Sequence, residues 1–261
     1  MKIACCQMNM KLADAKHNYG LAEQMLASAM RENPDVVFFP EMWNVGFFPT
    51  DNLKNLADND GRETKLLFSA LSRKFNVNIV AGSIADNRQG TVFNTAYVFD
   101  RNGEVIYEYD KCHLFSPMGE DKFFTAGKGF DTFVLDGKKC SLIICYDLRF
   151  PEITRKLALD GAQLLFVVSQ WPEERIEHYL TLLRARAIEN QIFVAACNSC
   201  GVAGNTKYGG NSVSYDPWGE ELYKLDDRED IAFCDCDFEI TKKIRENINV
   251  FADRRNDIYN L

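Results

Sequence analysis

The sequence contains only three histidines and no apolar run that approaches the ~18 residues a membrane-spanning helix requires. Its formal net charge is −8, whereas a surface that neutralises nucleic-acid phosphates would need the opposite sign. Repeats, low-complexity tracts and linkers are absent as well. We therefore expect neither a membrane nor a nucleic acid as a partner, and one folded domain rather than an array of modules.

The cysteines indicate the redox compartment. There are nine of them, an odd number, and many lie in apolar segments that are typical of strands. Residues 1–10 hold one lysine, no long apolar stretch and no small-residue cleavage site, so we expect no secretory leader. These observations favour a cytoplasmic protein whose thiols are free and pack as small hydrophobic side chains.

Short apolar segments alternate with amphipathic segments along the whole chain, which is typical of an α/β protein. We expect a single domain over residues 1–261, with an extended C-terminal tail from about residue 247. The predicted helices cover residues 15–31, 63–75, 152–159, 174–190 and 238–246. The predicted strands cover residues 2–8, 35–39, 77–83, 91–99, 104–109, 131–135, 138–145, 163–168, 192–198, 211–216, 220–224 and 231–236.

About a dozen strands exceed what one open sheet usually holds, so we expect two sheets packed on each other. Asp136-Gly137 separates two of the predicted strands and is a strong hairpin signal. Because several neighbouring strands look like hairpins while others are separated by helices, both kinds of pairing should occur and the sheets should be mixed.

Cys145 is a candidate nucleophile. It ends an apolar strand, and the residues after it turn into a helix whose first turn holds Pro151 and Glu152. A thiol at such a bend lies at the rim of the sheet, where nearby backbone N–H groups can bind an oxyanion. A buried structural thiol is the alternative for any single cysteine.

A thiol needs a base to become a good nucleophile, and no histidine is well placed for that task. His17 lies at the start of a surface helix and His178 in a polar part of the long helix, whereas His113 shares a predicted face with Lys111 and could contact substrate. Glu41 ends the segment VVFFPE among apolar neighbours, and a carboxylate there can take and return a proton. The alternative is an ordinary glutamate at a helix start.

Lys111 follows the predicted strand VIYEY and one aspartate. Its ammonium would favour the Cys145 thiolate and would stabilise the oxyanion of a tetrahedral intermediate. Glu120 follows in the loop LFSPMGEDKFF and could bridge Lys111 and a departing amine. For each of the two charged residues alone, a solvated side chain is the alternative.

Together these segments resemble the nitrilase superfamily of carbon–nitrogen hydrolases over essentially the full chain. FPE resembles the family's glutamate motif, YDKCHLF its lysine motif and CYDLRFPE its cysteine motif, and Glu120 occupies the place of a second glutamate. LLRARAIENQIFVAACN, GGNSVSYDPWGE and VFADRRNDIY are similar to later blocks of the family. The resemblance implies a catalytic triad of Glu41, Lys111 and Cys145 that uses no metal and no cofactor.

The same resemblance implies an α/β fold, a four-layer αββα sandwich with two mixed β-sheets packed face to face. It also implies a homodimer or a higher homo-oligomer, in which the C-terminal tail packs on the partner subunit. Tyr146-Asp147 follow the cysteine here, whereas true nitrilases tend to have Trp-Glu in these places. The comparison argues against a nitrile as the substrate.

The segment CYDLRFPE resembles the amidase branch that includes ω-amidases and deaminated-glutathione amidases. SQWPEERIEHYLTLLRARAIEN is similar to a bacterial ω-amidase-like group. The resemblance implies hydrolysis of the ω-amide of a small 2-oxo acid, such as 2-oxoglutaramate or 2-oxosuccinamate. The reaction would pass through a cysteine thioester and release ammonia.

A 2-oxo acid amide needs a cationic contact for its carboxylate and an apolar wall. Trp171 and Phe115 are the wall candidates, although Trp171 could equally pack in the core. Arg175 is the candidate for the substrate carboxylate, with a helix-surface ion pair as the alternative. We expect Tyr146 to contribute its backbone N–H, and Arg149 to pair with a carboxylate beneath the bend.

Other functions stay open at this point. The CxxC of Cys197 and Cys200 and the CxC of Cys234 and Cys236 are weak evidence for zinc or for a thioredoxin-like site, because a compact second pair is missing. A binding protein that has lost its chemistry is a second alternative. The third is hydrolysis of deaminated glutathione or of an N-carbamoyl amino acid at the same site, which pocket depth would decide.

Overall fold

The computed structural model describes residues 1–47 and 49–259. Six α-helices lie in these ranges: α1 (Ala15–Ala29), α2 (Leu53–Leu56), α3 (Arg62–Phe75), α4 (Pro151–Leu159), α5 (Ile176–Asn190) and α6 (Glu239–Asn247). The same ranges hold fifteen strands: β1 (Lys2–Gln7), β2 (Val36–Phe38), β3 (Asp58–Asn59), β4 (Asn78–Arg88), β5 (Thr91–Phe99), β6 (Val105–Asp110), β7 (Thr132–Leu135), β8 (Lys138–Ile144), β9 (Leu164–Ser169), β10 (Phe193–Asn198), β11 (Cys200–Ala203), β12 (Thr206–Gly209), β13 (Val213–Tyr215), β14 (Glu221–Lys224) and β15 (Asp230–Asp235).

Two large sheets contain most of the strands. The first has the order β15-β1-β2-β4-β5-β6, with β3 paired to β4; β1, β2 and β4 run parallel, and the outer pairs are antiparallel. The second has the order β14-β13-β10-β9-β8-β7, with a parallel centre of β10, β9 and β8 and antiparallel strands outside it. Both sheets are therefore mixed, as the sequence predicts.

The alternation of side chains along the strands explains why each sheet is covered on both faces. In β1, Ile3 belongs to the core shared with the second sheet, whereas Ala4 belongs to the core shared with α1 and α3. Phe38 of β2 meets Phe166 of β9 edge-on between the sheets, with ring centroids 5.3 Å apart. Burial of each such side chain contributes about 1.5–3 kcal/mol.

Helices cover the outer faces of the two sheets. Leu26 of α1 and Phe68 of α3 pack on the first sheet, and Leu157 of α4 and Leu183 of α5 pack on the second. The expected four-layer αββα sandwich is thereby confirmed. None of the helices within the described ranges is both long enough and apolar enough to cross a bilayer.

Short elements differ most from the prediction. The turn at Asp136 and Gly137 is confirmed, with the positive φ angles of 47° and 76° that a two-residue hairpin loop needs. The β11–β12 hairpin was not predicted, because its glycine-rich sequence is typical of a loop. The strand β3 and the helix α2 were not predicted either, because they are too short to show a periodic pattern of apolar residues.

The C-terminal tail is not extended. After α6 the chain forms turns, in which the Asp253 N–H donates to Asn249 O at 3.1 Å and the Ile258 N–H donates to Arg255 O at 2.9 Å. The prediction of an extended tail is therefore wrong for residues 248–259, and residues 260–261 lie outside the described residues. Local hydrogen bonds satisfy backbone groups that an isolated extended segment would leave to solvent.

Candidate active site

Glu41 lies where the chain leaves β2 and passes the end of β9. A Cβ placed on Gly82, whose φ is +65°, would lie 2.0 Å from the carbonyl oxygen of Pro40, so only glycine allows this approach. The Glu41 N–H donates to Ser169 O at 3.4 Å. The side chain of Glu41 is fully buried between the two sheets.

Three protein donors orient the Glu41 carboxylate. Its Oε1 accepts from Lys111 Nζ at 2.8 Å and from Asn94 Nδ2 at 2.9 Å, and its Oε2 accepts from the Gln170 N–H at 2.8 Å. Each carboxylate oxygen has two lone pairs, so Oε2 keeps one acceptor position. Glu41 lies close enough to Cys145 for its carboxylate to raise the pKa of the Cys145 thiol, so the two groups are neighbours.

Lys111 lies just beyond β6 and is buried. Its backbone is held from both sides, because its N–H donates to Asn94 O and its carbonyl accepts from the Gly127 N–H, each at 2.9 Å. Burial by itself lowers the pKa of Lys111, but the carboxylates of Glu120 and Glu41 together raise that pKa well above its ordinary value. The side chain is therefore a permanent ammonium at the site.

Glu120 reaches the same ammonium from the loop after β6. Its two oxygens accept from Lys111 Nζ at 3.0 and 2.8 Å, and its Oε2 also accepts from the Phe115 N–H at 2.6 Å. Asn94 Nδ2 donates to its Oε1 at 3.1 Å. Glu41 and Glu120 thus share one ammonium and one amide, in a cluster that water does not reach.

Cys145 begins a 3-10 turn at the end of β8, and its φ of +46° is unusual for a residue with a side chain. Asp147 holds this bend: its carboxylate accepts from the Ile144 N–H at 3.0 Å, from the Tyr109 hydroxyl at 2.8 Å and from the His113 N–H at 2.9 Å. The buried carboxylate thereby fixes a strained backbone that points the thiol into the pocket.

His113 helps to hold the bend at Cys145 and does not face the pocket. Its Nδ1 lies 2.8 Å from Asp147 Oδ1, and its ring stacks on Phe150 with centroids 3.8 Å apart. The predicted face shared with Lys111 therefore does not bring His113 to the substrate side, because β6 ends before it and the chain turns. The imidazole contacts the bend from behind.

The Cys145 thiol is not ionised by its surroundings. Burial raises its pKa well above the ordinary value, the Glu41 carboxylate adds to the rise, and the Lys111 ammonium opposes it. Lys111 acts in the expected direction, but burial and the Glu41 charge outweigh it. The Lys111 ammonium thus favours the thiolate, as predicted, but it does not decide the net direction of the pKa shift.

A pocket of about 390 Å³, with the open solvent at its mouth included, is lined by Cys145. The predicted residues Lys111, Phe115, Cys145, Tyr146, Trp171 and Arg175 all line it, and Glu41 and Glu120 lie behind Lys111. The structure adds Phe47, Met118, Arg149, Gln170, Pro172 and Tyr208 to the lining. Five of these twelve lining residues are aromatic.

Two guanidinium groups lie over these aromatic walls. Arg149 lies 4.8 Å from the ring centroid of Trp171 and Arg175 lies 5.6 Å from that of Phe115. Arg175 also forms the ion pair with Glu174 that was the alternative to a substrate contact. No carboxylate pairs with Arg149 among the described residues, so the prediction of a structural pair beneath the bend is wrong.

Trp171 forms part of the pocket wall and also packs in the core, the two roles that the sequence left open. It is buried, its ring packs on Tyr179 with centroids 5.3 Å apart, and it still lines the pocket. Its Nε1–H donates to Arg175 O at 2.9 Å and its backbone N–H donates to Asn198 Oδ1 at 2.6 Å. This wall is therefore fixed before any ligand binds.

Asn94 and Tyr208 belong to the site but were not predicted from the sequence. Tyr208 lies on β12, is buried, and lines the pocket; burial chiefly raises the pKa of its hydroxyl, and the nearby Glu41 and Cys145 raise it further. The hairpin that carries Tyr208 gave no strand signal. A polar residue inside the apolar strand VFNTAYVF was the one available signal for Asn94.

Of the other eight cysteines, seven are buried and Cys112 is partly exposed. Cys197 Sγ lies 3.2 Å from Cys6 O, and burial raises the pKa of Cys197 and of Cys200. Within residues 1–47 and 49–259, no group of three His, Cys, Asp or Glu side chains is arranged to hold a metal ion. The CxxC pattern is thus explained by two strands that bury their thiols.

Comparison with known proteins agrees with this architecture. 2-Oxoglutaramate amidase from Bacillus subtilis (strain 168) is 40% identical over 257 residues, which cover 98% of each chain. A carbon–nitrogen hydrolase from Helicobacter pylori G27 superposes with a TM-score of 0.92 at 27% identity, over 100% of this chain and 97% of that chain.

A variant of the amidase from Nesterenkonia sp. AN1 superposes with a TM-score of 0.86 at 27% identity, over 98% of this chain and 94% of that chain. That structure shows covalent addition of the acetamide moiety of fluoroacetamide at the active-site cysteine. The family model described as carbon-nitrogen hydrolase matches residues 2–246. This chain belongs to the carbon–nitrogen hydrolase family.

Proposed function

We propose that the protein is an amidase that cleaves the ω-amide of a small 2-oxo acid through a thioester on Cys145. The observation that supports this most directly is that Lys111 and Cys145 line one pocket, while Glu41 bonds to Lys111 behind it and lies near enough to Cys145 to influence the thiol. Base, cation and nucleophile come from the ends of three different strands, and together they supply the groups that acyl transfer requires.

In the first half of the reaction, Cys145 gives its proton to Glu41 as the sulfur attacks the amide carbon. A C–S bond forms, and the carbonyl oxygen becomes an oxyanion that Lys111 Nζ and the Tyr146 N–H stabilise. Glu41 then passes the proton to the amide nitrogen, the C–N bond breaks, and ammonia leaves. The acyl group remains on Cys145 as a thioester.

The charges of the buried cluster explain why proton transfer and attack go together. Glu41 and Glu120 contribute two negative charges and Lys111 one positive charge, so the resting cluster carries −1. A free thiolate would bring it to −2 in a buried site, whereas transfer to Glu41 leaves the total unchanged. Burial of unbalanced charge is costly, and the raised pKa of Cys145 reflects this.

In the second half, Glu41 takes a proton from water as the water oxygen attacks the thioester. The C–S bond breaks, the proton returns from Glu41 to the sulfur, and the carboxylic acid leaves. Glu120 acts in both halves through Lys111, because its oxygens are occupied by Lys111, Asn94 and the Phe115 N–H. It keeps the ammonium directed at the reacting carbonyl.

The substrate follows from the pocket and from the relative in Bacillus subtilis. That relative is named a 2-oxoglutaramate amidase. Trp171 and Phe115 would enclose the short methylene chain, and the guanidinium groups of Arg149 and Arg175 would bind the carboxylate. A small aromatic pocket with two cations suits a short anionic amide better than the longer deaminated glutathione.

An ammonia-release panel tests the proposal. It compares 2-oxoglutaramate, 2-oxosuccinamate, glutaramate, deaminated glutathione, an N-carbamoyl amino acid and a simple nitrile. We expect the highest kcat/KM for the 2-oxo acid ω-amides and no turnover by the Cys145→Ala variant. The Cys112→Ala variant is the matched control, because Cys112 is also partly exposed but does not line the pocket.

Three outcomes would contradict the proposal. Highest turnover on the nitrile or on the carbamoyl compound would exclude the ω-amidase assignment. Substantial turnover by a folded Cys145→Ala variant would exclude Cys145 as the nucleophile. Loss of turnover in Cys112→Ala alone would point to a different thiol.

We also propose that residues 1–261 form one catalytic domain that works as a homodimer in the cytoplasm. The support is that the free cysteines are mostly buried and that Ile258 and Tyr259 of the tail are exposed apolar side chains available to a second subunit. Light scattering of the full chain and of a chain ending at residue 247 tests this. We expect a dimer mass for the first and a monomer mass for the second; a monomeric full chain would contradict it.

A further inference from the structure

Asn94 occupies a position that the reaction outlined above does not use. It lies in β5 and is fully buried. Its Nδ2 lies 2.9 Å from Glu41 Oε1 and 3.1 Å from Glu120 Oε1, so one amide group bridges two carboxylates. Its Oδ1 is buried and has no hydrogen-bond partner among the described residues.

The two carboxylates determine how this amide is oriented. An amide nitrogen carries two hydrogens, one for each carboxylate, whereas the amide oxygen carries none. The opposite orientation would place Oδ1 against two carboxylate oxygens and would repel both. The side chain therefore leaves its own oxygen unsatisfied in order to donate twice, which is an unfavourable arrangement for a residue that only fills space.

The same contact limits where Glu41 can accept a proton. Glu41 Oε1 already accepts from Lys111 Nζ and from Asn94 Nδ2, so its acceptor positions are occupied. Glu41 Oε2 accepts only from the Gln170 N–H among the described protein donors. The remaining lone pair on Oε2 is thus the position open to the proton of Cys145.

A second consequence concerns Glu120. The Oε1 atoms of Glu41 and Glu120 both lie within 3.1 Å of the same Asn94 nitrogen and within 3.0 Å of the same Lys111 nitrogen. Two carboxylates this close tend to bind one proton between them unless donors satisfy both. Such a proton would disable Glu41 as a base, and the amide supplies a donor that does not titrate.

From these contacts, and on the basis of the proposed amidase reaction, we infer that Asn94 is a positioning residue. It keeps Glu41 and Glu120 ionised side by side and directs the proton of Cys145 to Glu41 Oε2. The role belongs to the side chain alone, because the main-chain carbonyl of Asn94 separately accepts from the Lys111 N–H at 2.9 Å. Substitutions at this position therefore keep the backbone anchor of Lys111.

The test compares Asn94→Ala and Asn94→Asp with the matched control Asn78→Ala. Asn78 is also buried in the first sheet and its amide also donates to a carboxylate, that of Asp136 at 2.9 Å. The readout is the pH dependence of kcat/KM for 2-oxoglutaramate, together with kcat, KM and the melting temperature. A purely structural role would change stability without moving the pH profile.

We expect kcat of Asn94→Ala at pH 7 to fall by about 10- to 100-fold with KM changed less than about 3-fold. The acidic limb of kcat/KM should move up by about one pH unit, because a carboxylate that loses a donor holds its proton more tightly. Asn94→Asp, of the same shape, should move the limb further because it adds a third carboxyl group. Asn78→Ala should leave the limb in place.

The outcomes separate this inference from the proposed function. If the wild type releases ammonia and the limb of folded Asn94 variants coincides with that of Asn78→Ala, the positioning role is wrong and the amidase assignment stands. If no panel member is hydrolysed, both are wrong. Should Asn94→Ala not fold, Asn94→Ser keeps one donor and should give a smaller shift in the same direction; an unmoved limb would overturn the inference.

Discussion

Lys111 Nζ lies 2.8 Å from Glu41 Oε1, although 70 residues separate the two in the chain. The contact joins the end of β6 to the end of β2, and both side chains are almost completely shielded from water. A second contact, from the same ammonium to Glu120 Oε2 at 2.8 Å, closes the cluster. The stability of the site and its chemistry therefore depend on the same cation.

Replacement of Lys111 by Met should lower the stability of the protein and abolish its activity. The change leaves two buried carboxylates without a counter-ion, and such a loss typically destabilises a protein by about 3–5 kcal/mol. Urea denaturation monitored by circular dichroism should show that decrease, and ammonia release should be abolished. Lys122→Met is the control, because Lys122 is exposed in the neighbouring loop; equal stability of the two variants would contradict the account.

The raised pKa of Cys145 predicts how the thiol reacts with iodoacetamide. Only the thiolate is alkylated, so the rate should be low at pH 7 and should rise with pH to values above the ordinary thiol range near pH 9. The measurement is the pH dependence of the alkylation rate, in a Cys112→Ala background that removes the other partly exposed thiol. A rate that is already maximal at pH 7 would show that the thiolate exists without substrate.

Glu41→Gln should separate the effect of the Glu41 charge on the pKa of Cys145 from the role of Glu41 as the base. Burial and the Glu41 charge raise the pKa of Cys145 while the Lys111 ammonium lowers it, so removal of the carboxylate leaves only burial to oppose the ammonium and should lower that pKa. At pH 8 we expect alkylation to become about tenfold faster, the change for one pKa unit, while amide turnover is lost with the base. Slower alkylation of a folded Glu41→Gln variant would contradict the charge argument.

Arg149 should determine the preference for anionic amides. Arg149→Met removes a guanidinium that lies over the Trp171 wall but keeps apolar contact. Hydrogen bonds to charged groups contribute about 1.5–3 kcal/mol, so KM for 2-oxoglutaramate should rise about 10- to 100-fold while turnover of an uncharged short amide is unchanged. The exposed Arg228→Met is the charge-matched control. An equal effect on charged and uncharged amides would exclude carboxylate recognition by Arg149.

Gly82 should be irreplaceable even by alanine. A Cβ there would lie 2.0 Å from the Pro40 carbonyl oxygen and would displace Glu41, and the positive φ adds about 1–3 kcal/mol of strain. We expect loss of most activity together with a lower melting temperature. Gly90→Ala provides the comparison, because its φ is also positive but its Cβ would meet open space. Activity of Gly82→Ala equal to that of Gly90→Ala would show that the close approach is unimportant.

The sequence predicts the layers and the positions of Cys145, Glu41 and Lys111 at strand ends, since strand ends and alternation are local properties. Cys145 and Glu41 follow apolar strands, and Lys111 follows a strand of mixed composition. The ends of these strands converge although they belong to two packed sheets. The contacts of Arg149 and His113 could not be predicted, because the 3-10 turn after β8 sets their directions. Asn94 and Tyr208 were missed because their partners lie on distant strands.

The most direct test is intact-mass spectrometry of the protein quenched during turnover of 2-oxoglutaramate, followed by peptide mapping. We expect a mass increase equal to the substrate mass less that of ammonia, located on Cys145 and absent from the Cys145→Ala variant. Ammonia release without any adduct, or an adduct on another residue, would contradict it.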